Sequence, residues 1–74
     1  MQIQVNAQVV EKEGGSVVEA ILTADRPEGP PGYYTTITMH GLSAADREAY
    51  IKTQVRRLWE IRDPRDEIVV TGLD

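Results

Sequence analysis

The sequence predicts an α+β fold: a two-layer sandwich in the order β-β-β-α-β, with a mostly antiparallel sheet carrying one helix across one face. Three observations lead there. Residues 2–10 alternate polar and apolar without interruption. Residues 43–62, SAADREAYIKTQVRRLWEIR, are the one stretch with sustained helical periodicity. That helix has an apolar stripe but no second helix to receive it, so its partner must be a sheet.

The elements follow in order. In the first strand Ile3, Val5, Ala7 and Val9 point one way, while Gln2, Gln4, Asn6 and Gln8 point the other, the pattern of a half-buried strand. Gly14-Gly15 then supplies the positive φ angles of a tight hairpin. In residues 17–24, Val18, Ala20, Leu22 and Ala24 are assigned inward because that choice leaves Glu19 in water. Residues 25–32, DRPEGPPG, hold three of the four prolines. They read as a stiff, extended connection, with a recognition loop as the alternative. The third strand, residues 33–40, is YYTTITMH and is rich in β-formers. Its residues Tyr33, Thr35, Ile37 and Met39 should face the helix.

The helix has both end signals. Ser43 is a capping hydroxyl with Asp46 three residues on. Asp63-Pro64 supplies the stop. Ala44, Ile51, Val55, Leu58 and Trp59 make the buried stripe, flanked by Tyr50 and Ile61. A short last strand, residues 67–71, should run parallel to the first and third, beside one or the other, with residues 72–74 fraying beyond it.

Composition narrows the function classes. Seventy-four residues make a single small domain, residues 1–74, without a linker. There are no cysteines, which excludes disulfides, thiolate metal sites and a cysteine nucleophile. One histidine, His40, leaves no room for a histidine-rich metal centre. No apolar run approaches a membrane span, and the N-terminus lacks the basic region of a signal peptide, so a cytoplasmic protein is expected. The small, cysteine-free composition suits an accessory protein of a bacterium or a bacterial virus.

Catalytic patterns are missing. Ser43 lies near His40 but is explained by capping, and no Gly-x-Ser-x-Gly occurs. Asp63, Asp66 and Glu67 gather around Pro64 without the spacing of a calcium loop. Gly14-Gly15 is not followed by a helix, so it is no phosphate loop. The expectation is a protein with no enzymatic activity, no cofactor and no bound metal.

Two surfaces remain. The first and third strands contain no Asp, Glu, Lys or Arg. Their outward residues, Gln2, Gln4, Asn6, Gln8, Tyr34, Thr36 and Thr38, form an uncharged face that is cheaper to desolvate than a charged one. At least one of the two strands is expected at a sheet edge that lacks the usual guards against pairing. A small interaction module that docks another protein, or a second copy of itself, is therefore expected. The alternative is a nucleic-acid-associated accessory protein using Lys52, Arg56, Arg57, Arg62 and Arg65. Residues 47–65 do carry a local positive excess, but the whole chain is at −4, and glutamates interrupt the basic row.

Overall fold

The computed structural model describes residues 2–26, 29 and 32–73. β1 (Gln2–Lys12) turns into β2 (Val17–Ala24), β3 (Tyr33–His40) follows, α1 (Ala44–Leu58) crosses, and β4 (Glu67–Thr71) closes the sheet. The sheet order is β3-β2-β1-β4. β1 pairs antiparallel with β2, β2 antiparallel with β3, and β4 parallel with β1. The last strand thus takes the place beside β1, one of the two positions that its sequence allows. A parallel partner requires a crossover, and the helix provides it.

The alternation in the strands sets inside and outside. Ile3, Val5, Ala7, Val18, Ala20, Leu22, Ala24 and Met39 are buried, joined by Ile51, Val55, Ile61 and Ile68. Every outward residue of β1 is exposed, as are Tyr34, Thr36, Thr38 and His40 of β3. The hairpin turn has three successive positive φ angles, at Glu13 (51°), Gly14 (69°) and Gly15 (93°). The last two need glycine, in keeping with the sequence.

The helix is capped as expected: the Asp46 backbone N–H donates to the Ser43 hydroxyl at 3.3 Å. Its far end differs from expectation. It stops at Leu58, short of Arg62 and well before Pro64. The Ile61 N–H donates to the Arg56 carbonyl at 2.9 Å, and the Glu60 N–H to the Arg57 carbonyl at 3.4 Å. Those are the paired bonds of a Schellman motif, with Glu60 at φ 54° in the position glycine usually takes. The motif turns Ile61 back into the core.

The buried stripe is correspondingly narrower. Ile51 and Val55 are the helix residues fully buried, while Ala44 is exposed and Leu58 is 47 % exposed. Trp59, just past the helix, stacks on Tyr33 with ring centroids 4.7 Å apart, and Arg26 lies over the same tyrosine ring at 5.7 Å. At Gly72 and Leu73 the expected fraying gives way to packing, while Asp74 lies outside the described residues. Leu73 rests against the core, and Gly72, at φ 90°, lies so close to the Ala7 carbonyl that a Cβ would collide with it.

Candidate uncharged sheet surface

β1 is central and β3 is an edge, so the two strands that read as uncharged are not neighbours; β2 lies between them. β1 also runs two residues past the uncharged stretch 2–10, and its end carries Glu11 and Lys12. The register brings their outward residues into rows. One row crosses all four strands: Tyr34, Thr23, Asn6 and Thr71. Within it the Thr71 hydroxyl donates to the Asn6 side-chain carbonyl at 3.0 Å. The next row sets Thr36 beside Ile21 and Ile21 beside Gln8. Gln4 lies opposite Val69, and Gln2 opposite Glu67.

Short side chains in the first row leave a hollow of about 410 Å³ lined by Gln4, Asn6, Thr23, Asp25, Tyr34 and Thr71, among others. A second hollow of about 320 Å³ adjoins it over Asn6, Gln8, Ile21 and Thr23. Tyr34 stands beside them, 68 % exposed. The surface therefore offers amide and hydroxyl groups, an aromatic ring and some aliphatic area. The charged groups near it sit at the margins: Asp25 at one end, the Lys12–Glu19 pair (3.3 Å) at the other and Glu67 beside Gln2. Desolvating such a surface costs far less than desolvating an array of lysines and glutamates.

Thr23 is outward by the alternation of its own strand. Thr71 and Val69 join the surface only because β4 docks beside β1, which no local pattern in the sequence could reveal.

The basic residues of the alternative surface have acceptors beside them in the fold, although Arg62 and Arg65 keep 83 % and 87 % of their side chains exposed. Lys52 pairs with Glu48 at 3.6 Å, Arg62 with Glu60 at 3.5 Å and Arg65 with Asp63 at 2.9 Å. Arg57 donates to the Gln54 side chain at 3.1 Å. Arg56 is half-buried and donates to the backbone carbonyls of Asp63 and Asp66. By helical spacing Arg56 belongs to a solvated row from Glu48 to Glu60; the row breaks there because Glu60 has left the helix. Asp63 accepts from the Arg65 side chain and from the Arg65 backbone N–H at 2.9 Å. In that order, these two contacts hold its carboxyl below the usual carboxylate range.

The Ser43 hydroxyl accepts from the Asp46 backbone N–H as a helix cap, and His40 is exposed at the end of β3. Among the described residues no group of three or more His, Asp or Glu converges on a point that could hold a metal ion. No helix among them is long and apolar enough to cross a membrane. Of the segment that reads as a stiff or recognition loop, Pro27, Glu28, Pro30 and Pro31 lie outside the described residues. Comparison of the chain with protein-family models, with curated proteins and with solved structures gave no match.

Proposed function

We propose that this chain is a small non-enzymatic interaction module that docks another protein on the uncharged side of its sheet. The observation that carries the reading is the four-strand row Tyr34, Thr23, Asn6 and Thr71 with its hollows, a surface of mixed hydroxyl, amide and aromatic character whose charged groups stand at its margins. Exposed aromatics beside neutral hydrogen-bonding groups suit protein recognition. A role as an inhibitor, an accessory factor or an assembly subunit fits this equally. Nucleic acid is the weaker reading, because Arg56 is turned into the fold and acidic side chains stand within 4 Å of Lys52, Arg62 and Arg65.

Affinity capture with the wild-type chain and a Gln4→Lys/Thr23→Lys variant, quantified side by side, tests the proposal. Both substitutions keep side chains on the solvent side of central strands. The expected result is a partner retained by the wild type and lost from the variant at unchanged melting temperature. Equal retention by both chains sinks the assignment of the surface.

A further inference from the structure

We propose that two copies of this chain join edge to edge through β3, in an antiparallel register centred on Ile37, to make a continuous eight-stranded sheet. This goes beyond the protein-docking reading above: it uses the edge of the sheet, whereas that reading uses the outer side of its central strands.

The hydrogen-bond pattern shows which backbone groups face outward. The Gly41 N–H donates to the Ser16 carbonyl at 3.0 Å, in register with the β2–β3 ladder. Bonded pairs alternate along an antiparallel ladder. Tyr33, Thr35, Ile37 and Met39 therefore direct their N–H and C=O groups at β2. Tyr34, Thr36, Thr38 and His40 direct theirs outward, at an edge where no strand pairs among the described residues.

This edge lacks the protection found elsewhere in the sheet. Sheet edges are commonly guarded by charge, proline, bulges or brevity. β4, the opposite edge, is five residues long and begins with Glu67. The upper part of β1, which β4 does not reach, carries Glu11 and Lys12, and Arg47 lies 3.9 Å from Glu11. β3 has eight residues with neither a formal charge nor a proline. Pairing here brings no formally charged side chain of β3 against its copy.

The sequence of the edge is also self-complementary. A two-fold axis at Ile37 sets Thr36 against Thr38 of the second copy and Tyr34 against His40. Each of these four bonded positions exchanges two hydrogen bonds, so about eight form in all. On the opposite side Ile37 meets its own copy in a non-bonded pair, where side chains approach most closely. Ile37 is only partly buried in the single chain, so pairing covers apolar surface that the helix leaves open. The paired length is about 24 Å at the usual rise per residue. That places it among small, reversible interfaces, with dimerisation expected between about 10 μM and about 1 mM.

Sedimentation and amide exchange over that concentration range test the proposal. The expected mass rises from one chain to two. Exchange at Tyr34, Thr36, Thr38 and His40 slows about tenfold when nine-tenths of the chain is paired. Thr36→Pro removes an N–H that β2 does not use and should abolish both changes. Should it fail to fold, Thr36→Lys/Thr38→Lys sets like charges directly opposite across the axis and should do the same. A constant monomer mass, or a dimer that survives these substitutions, overturns self-pairing. A monomer that still loses its partner on Gln4→Lys/Thr23→Lys leaves the docking surface standing, because those two residues are off the edge. A dimer whose Gln4→Lys/Thr23→Lys variant captures every protein the wild type does keeps self-pairing and removes the foreign partner.

Discussion

Glu60 holds the left-handed conformation that ends the helix, at φ 54°, with a side chain that is exposed and within 3.5 Å of Arg62. A residue with a Cβ occupies that region at a cost of about 1–2 kcal/mol. Glycine removes the cost but adds freedom to the unfolded chain, offsetting about 0.4–1 kcal/mol. Glycine also gives up the ion pair with Arg62, which lies on the surface and is worth little. Glu60→Gly is therefore expected to stabilise the protein by about 0.5–1 kcal/mol, read as a higher urea midpoint at unchanged slope. A lower midpoint would show that the Glu60 side chain contributes more than its geometry suggests. The same residue explains why the helix end is hard to foresee. A glycine there would announce the stop, whereas Glu is a good helix former and Arg62 continues the period.

At the scale of elements, each strand can be read from its own alternation, because one buried face and one solvated face leave a period-2 record in the sequence. The N-terminal cap can also be read, since Ser43 and Asp46 act within one turn. Long-range placement cannot. Whether β4 joins β1 or β3 depends on how the helix crosses the sheet, and neither strand has a residue that selects its neighbour. Arg56 belongs with these unreadable features: in sequence it is one cation in a charged row, but in the fold its guanidinium fork joins the helix to the carbonyls of Asp63 and Asp66. Lysine is a single flexible point charge and does not reproduce a fork. Arg56→Lys should cost about 1.5–3 kcal/mol, the scale of a hydrogen bond from a charged group. Arg57→Lys, exposed on the next position, should change stability by less than about 0.5 kcal/mol. Urea denaturation of the two variants, with amide exchange at Ile68 and Val70, measures the difference. Equal midpoints would mean that β4 is held by its ladder and core contacts without help from Arg56.

For the whole molecule, the uncharged surface is partly legible in the sequence. The composition of the first and third strands reveals its chemistry and its outward residues. Its shape is not legible, because the row from Tyr34 to Thr71 exists only once β2 separates the two strands and β4 extends the sheet. A domain of this size has about 4–11 kcal/mol of stability at typical values per residue. A cavity at Leu22, which is fully buried, should remove about 2–5 kcal/mol of it. Lysine at Gln8, exposed on the outer side of β1, should change stability by no more than about 0.5 kcal/mol. In thermal melts Leu22→Ala should then fall by at least about 8 °C, and Gln8→Lys by a few degrees at most. The comparison reaches beyond the fold when it is repeated at several protein concentrations. If Gln8→Lys matches the wild type at low concentration but melts earlier at high concentration, the outer side of the sheet is covered in the assembled state. If it costs as much as Leu22→Ala at every concentration, that side belongs to the core of a permanent assembly, and the free neutral surface proposed for docking does not exist in solution.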